Sequence, residues 1–198
     1  MRPGIDESVT VREYDPRWPL AYAAERVRIV EALHGIDVTI EHIGSTSVPG
    51  LTAKPVVDIL VGLRLAGHDV IGAALERLGY EALGEAGVPG RLYFRMRDSP
   101  QPFNVHVVER GGALWRNNLV FRDFLRTHSE EATAYAQAKQ VAAEAAPASL
   151  IEYSELKAQT VDSLLAKARI WAERGGWPAT TNWSETISSP SWSSQHST

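Results

Sequence analysis

The chain has 198 residues, a length typical of one domain, and 44% of them are apolar, enough to bury a hydrophobic core. Its 20 basic and 24 acidic side chains give a net charge of −4, which disfavours a general nucleic-acid binder, and the absence of cysteine excludes a disulfide scaffold, a zinc–thiolate site and a cysteine nucleophile. The sequence shows neither an apolar run of the roughly 20 residues that span a bilayer nor the apolar core of a signal peptide, so we expect a cytoplasmic protein without a membrane partner.

The N-terminal third of the chain predicts an arm, a helix and two strands. The first dozen residues are mostly polar, which suits a short edge strand or an ordered arm. A helix over residues 19–33 follows, because apolar residues recur there every three to four positions. The residues that form this stripe are Leu20, Ala23, Val27 and Val30. β-Branched residues predict a strand over 37–43, and an apolar run predicts a buried strand over 55–61.

The remainder of the chain predicts a helix, a hairpin and a helical region. A helix capped by Asp69 and ended by Gly79 comes first, and two alternating strands joined by a proline-containing turn follow it. The predicted strands span residues 91–97 and 103–108, and the predicted helices span residues 116–127, 130–145 and 148–173. Residues 1–174 therefore predict one domain, helical from about residue 115.

The composition changes at residue 175. Serine, threonine, tryptophan and proline dominate from there to the end, and no hydrophobic periodicity remains. We interpret residues 175–198 as a disordered or extraneous tail and leave it out of the fold prediction.

The residues that suggest chemistry surround the turn between the first two predicted strands. Gly44 lets the backbone approach a phosphate, and the hydroxyls of Ser45, Thr46 and Ser47 can donate hydrogen bonds to its oxygens. Asp58, inside the next strand, can hold a magnesium ion that bridges those phosphates. The arrangement favours transfer of a nucleotidyl group. It differs from the phosphate-binding loop of ATPases in the spacing of its glycines and lysine.

A structural interpretation of the same residues stays open. The glycine-rich segment is also compatible with a plain turn. Asp58 can be satisfied by backbone amides or by Lys54, although a carboxylate in an apolar strand needs a partner or a function.

Several segments of the chain resemble the GrpB family. The matching segments are residues 14–18, 40–51, 54–59, 103–108 and 121–126, together with Tyr135, Lys139, Tyr153 and Lys157. The resemblance covers about residues 9–172. It implies an α+β chain with the nucleotidyltransferase (polymerase beta-like) fold, in which helices flank a short mixed sheet and a helical segment follows. It implies activity less strongly than fold.

One position departs from the nucleotidyltransferase pattern. That pattern places a second acid two residues after the first, on the same strand face, where this chain has Leu60. The strand that usually supplies a third acid offers Asn104 and His106 instead, and magnesium prefers oxygen ligands. Three roles therefore remain for Asp58: a ligand of one magnesium ion, a base or orienting group, or part of a pocket that only binds an anion.

The remaining candidates lie near these strands or on the following helices. Lys54 and His106 join Asp58 as catalytic candidates, and Arg91 and Arg95 share a strand face with Arg97 as a possible phosphate-binding wall. Further cleft candidates are Glu41, His42, Asn104 and Arg122. For each of them, packing or a solvated ion pair is the structural alternative.

Two hypotheses follow from the sequence. The first is an enzyme that binds a nucleoside triphosphate and magnesium and transfers a nucleotidyl or phosphoryl group to a small acceptor. The alternative is a domain with an incomplete set of acids that binds an anionic metabolite or nucleotide without chemistry, or that serves another enzyme. The sequence specifies neither the nucleotide, nor the acceptor, nor the oligomeric state.

Overall fold

A computed structural model describes residues 6–64 and 68–177, and within them five α-helices surround one five-stranded mixed sheet. The helices are α1 (Arg17–Ala32), α2 (His68–Arg77), α3 (Ala113–Thr127), α4 (Ser129–Ala145) and α5 (Leu150–Trp171). The strands are β1 (Val38–Ile43), β2 (Val57–Leu63), β3 (Glu81–Ala82), β4 (Leu92–Met96) and β5 (Phe103–Glu109). The predicted α+β class is confirmed, and each predicted element lies within a few residues of an observed one.

The sheet has the strand order β1-β2-β5-β4-β3. The central pair β2–β5 is parallel, and the other neighbours are antiparallel, including the predicted β4–β5 hairpin. The prediction missed β3, because a strand of two exposed residues carries too little alternation to be recognised.

One face of the sheet packs against α1 and α2 and forms the main hydrophobic core. Because side chains alternate along a strand, every second residue of β2 and β5 points to this face. Val57, Ile59, Val61, Val105 and Val107 are fully buried there, together with Ile29 of α1 and Ile71 of α2.

The apolar stripe identified in α1 does not face that core. Leu20, Val27 and Val30 are 69, 51 and 41% exposed, whereas Trp18 and Ile29 are buried. The helix therefore lies rotated from the orientation that its stripe predicts. The reason is that the buried side of α1 also carries Glu25 and Tyr22, whose polar groups break the apolar repeat in the sequence.

The opposite face of the sheet is covered by the C-terminal helices over part of its area. Trp115 and Leu119 of α3 pack on Ile43, Leu60 and Val108. Helices α3, α4 and α5 pack on one another and on Val48 and Leu51, which follow β1. The segment between β1 and β2 is thereby held between the sheet and the helices.

The N-terminal residues form an ordered arm rather than an edge strand. Arg12 makes an isolated antiparallel bridge with Ala53, and the Val9 amide donates to the carbonyl of Pro147. Residues 178–198, most of the predicted tail, lie outside the described residues. None of the described helices is long and apolar enough to span a membrane.

Candidate functional site

Asp58 lies at the start of β2 on the sheet face that α3 leaves partly uncovered. The sheet register sets it between Ile43 of β1 and Asn104 of β5. Its side chain is 26% exposed, so a solute can reach this carboxylate although the residue sits in an apolar strand. The neighbouring residues Ile59 and Leu60 are fully buried.

Two side chains of β5 hold the Asp58 carboxylate. Asn104 Nδ2 donates to Oδ1 over 2.7 Å, and His106 Nε2 lies 3.3 Å from the same oxygen. Burial alone would raise the pKa of Asp58, but the hydrogen bond from His106, then that from Asn104 and the charge of Lys54, lower it below its ordinary value. Asp58 is therefore an anion at neutral pH.

The neighbours of His106 fix its tautomer. Arg91 Nη1 lies 3.4 Å from Nδ1, and because a guanidinium can only donate, Nδ1 must accept. The ring proton is then on Nε2, from which it donates to Asp58. The result is a carboxylate–imidazole pair whose second ring nitrogen carries a lone pair.

Asn104 is oriented by groups on β4 and the turn after it. Its Oδ1 accepts from the Tyr93 hydroxyl over 2.8 Å and from Arg97 Nη2 over 3.0 Å. Arg97 is held in turn by both carboxylate oxygens of Glu7, in the N-terminal arm. Because these bonds occupy the side-chain oxygen of Asn104, its amide nitrogen is directed at Asp58. The carboxylate is thus positioned by the hydrogen-bonded series Asn104, Arg97 and Glu7.

Basic side chains outnumber acids around Asp58. Arg91 reaches His106 and stacks over the Tyr93 ring at 4.9 Å. Lys54 lies 3.9 Å from Glu7, is 20% exposed and is acted on electrostatically by Asp58. The site therefore favours an anionic ligand.

The turn after β1 approaches Asp58 through Gly44. This glycine has a φ of 69°, and a Cβ atom built on it would lie 2.5 Å from Asp58 Oδ2. Only glycine combines that backbone conformation with so close an approach. The predicted approach of this backbone to a phosphate stays a prediction; the group that Gly44 approaches in the structure is the Asp58 carboxylate.

The hydroxyls of this turn serve different purposes. Ser47 Oγ donates to the Gly44 carbonyl over 2.6 Å, and Thr46 Oγ1 lies 3.0 Å from His42 Nε2. Both residues are buried, so these two hydroxyls are used inside the protein. Ser45 is half-buried and is the most exposed residue of the three.

His42 lies on the opposite sheet face from Asp58, as its register with Ile59 shows. It stacks on Tyr22 of α1 at 4.7 Å and supports the turn through Thr46. Burial lowers the pKa of His42 to about 4, so the ring is neutral.

Glu41, Arg122 and Arg95 form ion pairs outside the Asp58–His106 pair. Arg122 donates to Glu41 over 2.8 Å and to the His42 carbonyl, which fastens α3 to β1. Arg95 pairs with Glu81 at 2.7 Å and lines a separate surface cleft of about 640 Å³ near the β4–β5 turn. The structure therefore brings Arg91, but not Arg95, to His106.

The donor atoms near Asp58 do not fit a magnesium ion held by the protein. Leu60, at the position of the second acid, is packed under Trp115 and Leu119. The oxygen of Asn104 is already taken by two donors. Across residues 6–64 and 68–177, no group of three His, Cys, Asp or Glu side chains could hold a metal ion.

Sequence reasoning missed Glu7 and Tyr93 and gave Arg97 no separate role. Tyr93 carries a usable signal, because it alternates with Arg91 on the strand face that meets His106. Glu7 carries no such signal, since 90 residues separate it from Arg97.

Three comparisons show which known proteins this chain resembles in sequence and in structure. A sequence profile described as GrpB protein matches residues 8–167. The chain is 38% identical to a UPF0157 protein of Streptomyces coelicolor, over 84% of this chain and 86% of that protein. The crystal structure of conserved protein GrpB from Enterococcus faecalis is similar, with a TM-score of 0.74 and 33% identity, over 82% of this chain and 99% of that one.

A more distant similarity involves a longer protein. The chain is 26% identical to a protein named dephospho-CoA kinase from Mycolicibacterium paratuberculosis, and the match covers 82% of this chain but 46% of that protein.

Proposed function

The chain belongs to the GrpB family, and from that premise we propose that the cleft beside Asp58 binds a nucleoside triphosphate and transfers a nucleotidyl or phosphoryl group from it to a small acceptor. The proposal includes the nucleotidyltransferase-like fold that the sequence resemblance implies. A glycine–serine turn after β1 and an acid on the adjacent strand β2 support it.

The Asp58–His106 pair carries the proposal. In a transfer reaction the acceptor hydroxyl must lose its proton as its oxygen attacks phosphorus. His106 Nδ1 receives that proton, and the Asp58 carboxylate stabilises the imidazolium that forms. The leaving group is pyrophosphate for nucleotidyl transfer, or a nucleoside diphosphate for phosphoryl transfer.

The cations around the pair supply the second part of the mechanism. Arg91 and Lys54 neutralise charge on the phosphates, with Ser45 as a hydrogen-bond donor at the turn. Binding exchanges the contact of Arg91 Nη1 with His106 Nδ1, a long one at 3.4 Å, for a contact with the phosphate, which frees Nδ1 for the acceptor. The hydrogen bonds from Arg91 Nε and Nη2 to the carbonyls of Glu85 and Ala86 hold the guanidinium in place meanwhile.

The more distant relative supports a nucleotide-related role. A protein named dephospho-CoA kinase contains a segment similar to this chain. A kinase transfers a phosphoryl group from a nucleotide, which is the ligand chemistry that the basic cleft suits.

The decisive test is calorimetric titration of the full chain with ATP, GTP, CTP and UTP, with and without magnesium. We expect one nucleotide to bind more tightly than about 1 mM, and Arg91→Met to weaken it at least tenfold. Arg95→Met is the matched control, because Arg95, on β4 four residues after Arg91, pairs with Glu81. If all four nucleotides bind more weakly than about 1 mM, or if the two variants behave alike, the proposal fails.

A second candidate is a binding domain without chemistry. Two observations favour it: the position of the second acid is filled by packing, and the Oδ1 atom of Asp58 is already paired. Asp58→Asn separates the two functions. For the enzyme, turnover with a screened acceptor falls at least about a hundredfold while nucleotide affinity persists. For the binding domain, the wild type shows no turnover and the variant binds as the wild type does.

A further inference from the structure

Three lysines from separate elements gather beside the Asp58 site. Lys54 follows the turn after β1, Lys139 lies on α4 and Lys157 on α5. Lys139 Nζ donates to the carbonyl of Thr52, two residues before Lys54, and the charge of Lys157 lowers the pKa of both Lys54 and Lys139. The acids that face this group are Glu7 and Asp58, and both already have partners.

Lys139 is buried, with 1% of its surface exposed. Its Nζ donates to the carbonyl of Thr52 and lies 4.6 Å above the Tyr135 ring. An ammonium group has three donors, and one hydrogen bond with one ring contact leaves it under-satisfied. The hydroxyl oxygen of Thr52 is buried and, in the described part of the chain, has no hydrogen-bond partner.

Lys157 forms the outer part of the cluster. It is half-buried, and its Nζ lies 4.9 Å above the ring of Tyr153, which is itself buried. Tyr153 packs on Val9 of the N-terminal arm, and Glu7 of the same arm lies 3.9 Å from Lys54, so this part of α5 lies on the Lys54 side of the Asp58 site. A ligand at Asp58 therefore has Lys54 and Lys157 along one side.

We propose that Lys54 and Lys157, with Lys139 beneath them, form a second anion subsite that holds the phosphate group of a phosphorylated acceptor next to Asp58. The inference rests on the proposed function and specifies its acceptor. The ammonium groups of Lys54 and Lys157, joined by that of Lys139 once phosphate binding protonates it, act as point charges, and a doubly charged phosphate gains more from them than a single carboxylate does. The ammonium group of Lys139 is buried and donates to the Thr52 carbonyl. It therefore acts on the phosphate through its charge rather than by direct contact.

The test is calorimetric titration of inorganic phosphate, with acetate as the carboxylate probe, into the full chain at about pH 8. We expect phosphate to bind more tightly than acetate, and Lys157→Met to weaken phosphate roughly ten- to hundredfold. Lys167→Met is the matched control, because Lys167 is on the same helix but pairs with Glu131 away from the cluster. Equal effects of the two variants would overturn the proposal.

The number of protons taken up on phosphate binding tests the role of Lys139. Burial lowers the pKa of Lys139 to about 7, with Lys157 contributing, so at about pH 8 it is mostly neutral. A bound phosphate favours its charged form, so we expect proton uptake on binding, measured by titration in buffers of different ionisation enthalpy. Lys139→Met should abolish the uptake. Uptake that persists in a folded Lys139→Met variant contradicts this assignment, and Lys157→Met, at a partly exposed position, tests the subsite should Lys139→Met not fold.

The outcome is distinguishable from failure of the proposed function. If phosphate binds and depends on Lys157 while none of the four nucleotides binds, the subsite stands and the transferase proposal falls. If nucleotide binding depends on Arg91 but the affinity for phosphate is unchanged in Lys157→Met, the transferase proposal stands and the subsite falls.

Discussion

At the residue scale, steric fit decides which side chains can stand beside Asp58. Gly44 is positioned so that any Cβ would collide with Asp58 Oδ2, and Leu60 fills the space that a second acid would need. A Cβ on Gly62 would likewise meet the Trp115 ring at 2.4 Å, so α3 sits as close to the sheet as glycine allows. The carboxylate is thus enclosed on two sides by packing.

Replacing Gly44 by alanine should displace the Asp58 carboxylate. The positive φ alone costs about 1–2 kcal/mol for a residue with a Cβ, and the collision adds at least about 1 kcal/mol. Gly50→Ala is the control, because Gly50 has a φ of 78° with nothing within 4 Å of a Cβ. Urea denaturation measures both, and equal losses would contradict the close approach.

Introducing the missing acid should unfold the protein rather than create a metal site. Leu60→Asp places a carboxylate in the apolar cluster of Trp115 and Leu119, with an expected loss of about 4 kcal/mol or more in the free energy of unfolding. Leu60→Met keeps the volume and should cost less than about 1.5 kcal/mol. A stable Leu60→Asp variant that binds magnesium would show that the helix does not seal this position.

At the element scale, α1 shows how packing chooses between two faces of one helix. The exposed stripe carries Leu20 and Val27, and the buried face carries Trp18, Glu25 and Ile29. Glu25 is tolerated inside because the Tyr80 hydroxyl and Arg28 both donate to it. Because the Glu25 carboxylate is hydrogen-bonded, α1 can bury the face that carries Trp18 and Ile29.

Substitutions on the two faces of α1 should therefore differ in cost. Leu20→Lys should change the free energy of unfolding by less than about 0.5 kcal/mol, because the side chain is 69% exposed. Ile29→Ala should cost about 2–5 kcal/mol, because it empties a fully buried position. Thermal and urea unfolding test this, and a larger loss from Leu20→Lys would mean that a partner covers the stripe in solution.

His42 joins three elements and makes stability depend on pH. It contacts Tyr22 of α1 and Thr46 in the turn after its own strand. Its pKa is about 4 in the folded protein against 6.5 for a free histidine, so the unfolded chain binds more protons between these values. The contribution is fully present above pH 6.5 and is lost as pH falls towards 4.

We expect His42 to contribute about 3 kcal/mol of this pH-dependent stability. His42→Gln should flatten the dependence of the unfolding free energy on pH between 4 and 6.5. His34→Gln is the control, because His34 is exposed in the connection after α1. The measurement is urea denaturation at a series of pH values, and an unchanged slope in His42→Gln would refute the assignment.

At the scale of the whole molecule, the N-terminal arm connects the sheet to the helical layer. Glu7 pairs with Arg97 beside β5, its carbonyl accepts from the amide of Leu150, and Arg12 pairs with Ala53 before β2. Val9 packs on Ala142 of α4 and on Tyr153 of α5. The arm thereby couples the site network to elements more than 100 residues away in sequence.

Removing the Glu7 side chain should weaken both the fold and the site. Glu7→Ala leaves Arg97 partly buried without its carboxylate, for an expected loss of about 1–3 kcal/mol. Glu13→Ala, an exposed acid in the same segment, should cost less than about 0.5 kcal/mol. Urea denaturation compares them, and equal values would show that the arm does not hold Arg97.

The sequence by itself determined the order and type of most elements and the β4–β5 hairpin, and it predicted the segment around Asp58 as a candidate site. These follow from local spacing and turn residues, which act over a few positions. Only the tertiary structure decided that α1 buries its other face, that Leu60 lies under Trp115, that Glu7 pairs with Arg97 and that Lys139 bonds to Thr52. Such contacts join residues tens of positions apart, and their selection depends on how whole layers pack, which no local pattern encodes.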